Sequence, residues 1–250
     1  MTDIILVGCG GKMGRKIAEG IASRDDCRIV AGVDINGGSF DFPVFEKISE
    51  VKLGDVIIDF SHPSSLSDIL QYSVSKKIPA VIATTGLSDA DIGNIKEAAK
   101  LTPIFFTFNM SLDVNLLASL AKTASKVLGD NFDIEIVEKH HNQKIDAPSG
   151  TAIMLAEAIN NENGGKYEYV YDRHAERKKR EKNEIGFSSI RGGNIVGDHD
   201  IIFAGEDEVV TLSHSAYSKA VFATGAINAA IYLKGKTAGL YDMSDLVANK

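Results

Sequence analysis

Residues 3–14 constrain the fold more than any other stretch of this chain. Residues 3–7 (DIILV) form an apolar run of strand length, and Gly8-Cys9-Gly10-Gly11-Lys12-Met13-Gly14 follows directly. A helical pattern continues over 13–22, and a second apolar strand, 28–33, ends at Asp34. A strand, glycine turn, helix and strand of roughly 30 residues, with an acid about 20 residues past the last glycine, is the dinucleotide-binding βαβ pattern. Gly8 permits the tight turn, Gly10 and Gly11 bring backbone amides toward a pyrophosphate, and Gly14 lets the helix approach the strand. Asp34 is placed to accept hydrogen bonds from an adenosine ribose. The spacing is GxGxxxG rather than strict GxGxxG, so the flanking elements carry the reading as much as the glycines. A 2′-phosphate would be repelled by Asp34, and none of Ile35, Asn36, Gly37 and Gly38 is basic. NADH is therefore favoured, with NADPH left open by Lys12 and Arg15.

Strand-like runs recur at 56–60, 80–84 and 104–108, with helical segments at 64–75 and 89–100 between them. This alternation predicts a parallel, doubly wound sheet. Pro79 and Pro103 fall where strands open and a missing amide is tolerated. The loops 84–86 and 108–110 fall at strand C-termini, where ligands lie in such sheets. Beyond Ser111 the pattern changes: a helix over 112–128, then strands at 132–137, 184–191, 194–204 and 208–215. Short glycine turns separate the last three, which predicts an antiparallel or mixed sheet. The final helix, 219–233, is expected to return to the first domain. The fold class expected is α/β: a Rossmann-like doubly wound parallel sheet over 1–110 plus 218–250, with a smaller α+β domain over 111–217.

The richest chemistry lies in Glu138-Lys139-His140-His141-Asn142-Gln143-Lys144-Ile145-Asp146-Ala147-Pro148-Ser149-Gly150-Thr151-Ala152. The segment connects the 132–137 strand, with Ile134 and Ile136 on one face, to a helix over 152–159. Catalytic groups concentrate on such connections. Amides of Gly150 and Thr151 at the helix start favour an anion. Lys144 adds a full positive charge, and His140 and His141 can donate protons near neutral pH. The ligand this arrangement suits is a small anion, best a carboxylate, that receives a proton. Taken alone, a His-His pair after a strand and a Ser-Gly-Thr helix start also read as ordinary structural features. A zinc site is disfavoured, because Cys9 and Cys27 are distant in sequence and no HExxH or Cys-x-x-Cys pattern occurs.

The chain has 250 residues, 44% hydrophobic and 24% charged, ordinary values for a globular enzyme. No apolar run approaches the roughly 18 residues of a membrane span. Residues 1–3 lead straight into the first strand, leaving no room for a leader peptide. With 2 cysteines the chain suits a reducing compartment, and the cytoplasm is the simple inference. A net charge of −7 opposes a nucleic-acid surface and requires that an anionic substrate be attracted locally. The basic run 173–182 is interrupted by Glu176 and Glu181 and reads as a solvated loop or helix face.

GCGGKMGR, ATTG, FNMS, EKHHNQKIDAPSGTA, EIGFSSIRGG, GDHDIIFAGEDE and FATGAINAAIYL together span nearly the whole chain. In these motifs the sequence closely resembles the dihydrodipicolinate reductase family, and the HHxxKxDAPSGTA pattern is far more specific than the glycine loop. The resemblance implies a nicotinamide-binding N-terminal domain, NADH or NADPH as cofactor, and a smaller domain that binds a cyclic dicarboxylate and builds a homotetramer. It implies cofactor contacts at Gly8, Cys9, Gly10, Gly11, Lys12, Met13, Asp34, Ala83, Thr84, Thr85, Thr107, Phe108, Asn109 and Met110. It also implies His140 as the acid/base, Lys144 as its catalytic partner, either donating a proton or binding substrate, and His141, Gly150 and Thr151 as substrate positions. No metal, nucleic acid or membrane is implied. Two departures stand out: Lys219 where many relatives carry arginine, and Met110 in place of a more usual phenylalanine. The readings weighed against this one are another two-domain nicotinamide dehydrogenase, which would need a different site in place of HHxxK, and a non-enzymatic NADH sensor. The sensor reading lacks a helix-turn-helix pattern.

Overall fold

The computed structural model describes residues 1–174 and 177–248. Ala175 and Glu176 of the basic run, and Asn249 and Lys250, lie outside the described residues. The chain divides into two compact units, Met1–Leu112 with Lys219–Lys250, and Asp113–Ser218.

In the first unit the apolar run near the N-terminus forms β1 (Thr2–Val7), followed by α1 (Lys12–Ala22) and β2 (Cys27–Val33). A short β3 (Val44–Phe45) precedes β4 (Val56–Asp59), α2 (Leu66–Lys76), β5 (Ala80–Ile82), α3 (Asp89–Ala99) and β6 (Pro103–Phe106). The sheet has 7 strands in the order β12-β6-β5-β4-β1-β2-β3, where β12 is Gly239–Tyr241, and every pairing is parallel. Both faces are covered, which is why β1 and β4 are apolar without alternation. Ile4 and Leu6 face α1 together with Ala226 and Ile227 of the late helix α6 (Ala220–Leu233). Ile5 and Val7 face Leu66 and Ile69 of α2 and Ile95 of α3. The C-terminal segment packs within the first unit. Gly225 makes that packing possible: a Cβ there would lie 1.6 Å from the carbonyl oxygen of Met110.

Strand β1 has β2 on one side and β4 on the other, so the chain reverses its direction of travel across the sheet there. A crevice outside the strand C-termini opens at such a switch point. The glycine loop sits at it.

The second unit is built on β7 (Asp133–His140), β8 (Glu168–Val170), β9 (Glu184–Arg191), β10 (Gly197–Ala204) and β11 (Val209–Ala216). The strand order is β11-β10-β7-β9-β8. β10 runs antiparallel to β7 and β11, while β9 runs parallel to β7 and β8, which makes the sheet mixed. α4 (Leu112–Leu128) and α5 (Gly150–Glu162) cover one face with Leu117, Ala121, Leu155 and Ile159, against Ile134, Ile136, Ile185, Phe187, Ile201 and Phe203.

Differences from the sequence reading have local causes. β7 does not stop at Val137 but runs through His140, because its alternation of buried and open positions continues with Glu138 and His140 on the buried face. Strands of two or three residues (β3, β8, β12) and the short α7 (Met243–Ala248) are too brief to display a period. The basic run is a loop among its described residues, and Arg173 and Arg180 in it are engaged. Arg173 pairs with Glu135 at 2.7 Å and Glu184 at 2.6 Å. Arg180 reaches Asp133 at 3.0 Å and the carbonyls of Ile134 and Glu184. No helix among the described residues is long and apolar enough to cross a membrane.

Candidate active site

In the second unit the face of the sheet covered by α5 is apolar at one end and charged at the other. Strand periodicity of two puts Ile134, Ile136, Glu138 and His140 on that face. Pairing extends the row: Glu138 lies opposite His199 of β10, and His199 opposite His214 of β11. Glu138 is fully buried and accepts from Arg191 through both guanidinium Nη atoms, each at 2.7 Å. Its Oε1 also accepts the amide of Ser149 at 3.1 Å, and its Oε2 lies 2.6 Å from His140 Nδ1.

Burial works to raise the Glu138 pKa, but hydrogen bonds from Arg191, Ser189 and His140 outweigh it and bring the carboxyl down to about 2. Burial holds His140 below the ordinary histidine value, with Lys144 and Arg191 pushing the same way against the pull of Glu138. The pair at neutral pH is therefore a carboxylate beside an imidazole that needs added negative charge to hold its second proton. His199 is buried edge-to-face on His140 with ring centroids 5.2 Å apart, and burial pushes it down to about 4.

His141 follows β7 and is half-buried, and its carbonyl accepts the amide of Lys144 at 3.1 Å. Lys144 is half-buried and pairs with Asp146 at 2.9 Å. Ser149 is the N-cap of α5 and accepts the amide of Ala152, while its hydroxyl lies 2.9 Å from His199 Nε2. Gly150 and Thr151 form the first turn of α5. Gly150 is exposed, and a Cβ added to it would meet nothing within 4 Å. Buried polar atoms without a partner are uncommon. Among the described residues four side-chain atoms are in that state, and Arg191 Nε, His199 Nδ1 and His214 Nδ1 all belong to this charged end. The arrangement sets cations, a helix N-terminus and an imidazole beside a carboxylate in one place. No group of three or more His, Cys, Asp or Glu among the described residues is disposed to hold a metal ion.

At the switch point of the first unit, Gly8 has φ +77°, and a Cβ on it would lie 2.5 Å from the carbonyl oxygen of Phe60. A Cβ on Gly14 would lie 2.2 Å from Gly8 O, so the close packing expected of Gly14 is enforced. The amide of Gly10 donates to Asp34 Oδ2 at 2.9 Å and that of Gly11 to Gly8 O at 3.1 Å, so both are engaged within the protein. The amides of Lys12, Met13 and Gly14 precede the first intrahelical bond of α1, Arg15 N to Gly11 O. Gly11 caps α1 without a side chain and no acid lies in its first turn, a fit to a pyrophosphate.

Cys9 points into the core, fully buried, its thiol pKa raised by burial and by Asp34. Asp34 Oδ1 also accepts the Asn36 amide at 3.0 Å, fixing the carboxylate over the loop. Lys12 is exposed and Met13 packs on the core.

The other expected cofactor contacts line the ends of β5 and β6. Ala83 and Thr84 are buried and Thr85 is exposed. Thr107 and Asn109 fold the 107–111 loop on itself, with Asn109 Oδ1 accepting the Ser111 amide at 2.8 Å. Phe108 is 73% exposed, edge-on to Phe106. Met110 is buried in the core with Ala223 and Met243, so the exchange of phenylalanine for methionine acts on core packing. Lys219 is exposed at the N-cap of α6.

Sequence reasoning assigned no role to Glu138, Arg191, Ser149, His199 or Asp59. For Glu138 the signal was there: it is two residues before His140 on a strand. Asp59 also interrupts an apolar strand. It is fully buried and accepts from Ser61 N, Ser61 Oγ and Thr84 Oγ1 at 2.6–2.9 Å, with burial raising its pKa against those bonds.

A doubly wound parallel sheet with a glycine loop at its switch point, joined in one chain to a unit that buries a histidine beside a carboxylate, fits a nicotinamide-dependent oxidoreductase of Rossmann type. The family models described as "Dihydrodipicolinate reductase, N-terminus" and "Dihydrodipicolinate reductase, C-terminus" match residues 2–110 and 113–247. The chain belongs to the dihydrodipicolinate reductase family. It is 52% identical to a 4-hydroxy-tetrahydrodipicolinate reductase of Caldanaerobacter subterraneus subsp. tengcongensis, over 99% of this chain and 98% of that one. It is 51% identical to the protein of the same name from Clostridium tetani, over 97% and 96%. Among solved structures, the dipicolinate-bound dihydrodipicolinate reductase from Paenisporosarcina sp. TG-14 shares the fold, with TM-score 0.79 and 24% identity over 97% of each chain.

Proposed function

We propose that this protein reduces 4-hydroxy-tetrahydrodipicolinate to tetrahydrodipicolinate, in the diaminopimelate route to lysine. The observation that carries the proposal is the gathering of His140, Arg191 and the N-terminus of α5 around Glu138, with Lys144 near enough to act on His140, in a chain whose end-to-end relatives bear that activity's name. Loss of water from the hydroxylated ring leaves an unsaturated dicarboxylate conjugated to a C=N group. A reduced nicotinamide, when bound, supplies a hydride to the ring. His140 supplies the proton that the resulting electron-rich carbon takes up, and general-acid help of this kind is worth about 10²–10⁴ in rate. Lys144 and the Gly150 and Thr151 amides neutralise a carboxylate and stabilise that electron-rich state. The doubly negative ring also restores the proton affinity that burial removes from His140.

Gly8, the first turn of α1 and Asp34 hold the nucleotide, with NADH preferred because Asp34 opposes a 2′-phosphate and NADPH accepted through Lys12 or Arg15. The protein works as a cytoplasmic homotetramer joined through the sheet of the second unit. The test is oxidation of NADH on adding the condensation product of pyruvate and aspartate semialdehyde, repeated with NADPH. Oxidation that depends on this product supports the proposal, and nucleotide binding with no turnover refutes it.

A further inference from the structure

We propose that Glu138 and Arg191 are positioning residues for the reaction: Glu138 holds the ring of His140 in the tautomer that leaves Nε2 to carry the transferred proton, and Arg191 fastens both Glu138 and the loop bearing Lys144. This rests on the reading of His140 as the acid.

The argument starts from what a buried carboxylate is able to do. Ionised, it has only acceptor capacity. Both oxygens of Glu138 are taken by the Arg191 fork, the Ser149 amide and His140 Nδ1, so the hydrogen on the Glu138–His140 bond belongs to the imidazole. Nδ1 is protonated in the neutral and the charged ring alike, and Nε2 is the nitrogen that gains and loses a proton. Nε2 faces Gly197, where a Cβ would lie 3.0 Å away, so any larger residue there would crowd it.

Arg191 reaches further. Its Nη2 donates to the carbonyl of Asp146 at 2.6 Å, and the side chain of Asp146 holds Lys144 at 2.9 Å. The next residue, Gly192, donates its amide to the carbonyl of His140 at 2.9 Å. One ion pair therefore fixes the acid, the loop after it and the lysine relative to one another.

The groups facing His140 are Glu138 on β7, Lys144 on the following loop, Arg191 on β9 and His199 on β10. Glu138 alone among them favours the imidazolium. Replacing it with an uncharged isostere therefore lowers the pH below which His140 is protonated, and the activity that needs the imidazolium is lost earlier as pH rises.

Glu138→Gln tests this in the reductase assay. The expected result is a kcat about 10²-fold lower at neutral pH, KM within about threefold, and the alkaline limb of kcat displaced toward acid by about one pH unit or more. An unchanged kcat and limb overturns the proposal, as does a lower kcat with an unmoved limb, which is the signature of a packing role. A half-buried arginine left without its carboxylate can impair folding, so the tautomer is also read in the unmodified enzyme by ¹⁵N NMR of labelled histidine. Neutral His140 protonated on Nδ1 is expected, and protonation on Nε2 overturns the proposal whether or not the variant folds. His140→Gln separates the two levels: full turnover in that variant sinks the acid assignment itself, whereas its loss alongside an unaffected Glu138→Gln sinks only the positioning role.

Discussion

At the end of β1 the groups offered to a ligand are backbone, whereas at the end of β7 they are side chains. Gly8, Gly11 and Gly14 work by lacking a Cβ, and α1 begins with no side chain over its amides. On the mixed sheet, Glu138, His140 and His199 are buried and Arg191 half-buried; they come from three strands, each satisfying or opposing another's charge. A diphosphate is bound by shape and dipole, which a short local motif supplies. A proton has to be held at a chosen affinity, and this takes burial balanced against several charges.

The contrast is sharpest in the variant that should have the largest effect. His140→Gln should lower kcat by about 10²–10⁴ while leaving the nicotinamide dissociation constant unchanged, measured by steady-state kinetics and fluorescence titration. Weakened nucleotide binding would break the division between the two regions. In unmodified enzyme, kcat/KM should fall as pH rises through a pKa below the ordinary histidine value. The fall in kcat should come at higher pH, because the bound dianion favours the imidazolium.

Gly14→Ala is the counterpart in the first unit. Its methyl would meet Gly8 O at 2.2 Å, so the loop must shift and nucleotide affinity should drop by about 10²-fold, an order set by near-total loss of the helix-terminus contacts. Titration calorimetry with NADH checks this, and native affinity would show the loop to be plastic.

A third expectation concerns stability. An unfolded histidine titrates near 6.5, and His199 in the folded protein near 4. Between those values the unfolded chain binds a proton that the folded one refuses, so stability falls as pH drops through that window. The loss is about 3 kcal/mol by linkage. Urea unfolding at pH 7 and pH 4 measures it, and His199→Asn should flatten the dependence.

The smallest effect is Ser149→Ala, which removes the α5 cap and should cost about 1 kcal/mol. Thr151→Val should act on KM rather than kcat. An effect on kcat alone would place Thr151 with the acid instead of with substrate binding.

Legibility in the sequence followed the range of the interactions. The glycine loop, the α4 bounds 112–128 and β9 at 184–191 all announce themselves through local pattern. The segment 138–152 drew attention through its residue types. Arg191 and His199 did not, since nothing within their own strands distinguishes a surface arginine from one that grips a buried carboxylate.

What the sequence determined by itself was therefore the parallel sheet, the glycine turn and the residue types of the 138–152 segment, because periodicity, glycine and residue chemistry act within a few positions. The tertiary structure alone decided what surrounds His140. Pairing β7 with β9 and β10 brings Arg191 and His199 against Glu138 and His140. Proton affinity is set by burial and by charges a few ångströms away in space, however far apart they stand along the chain.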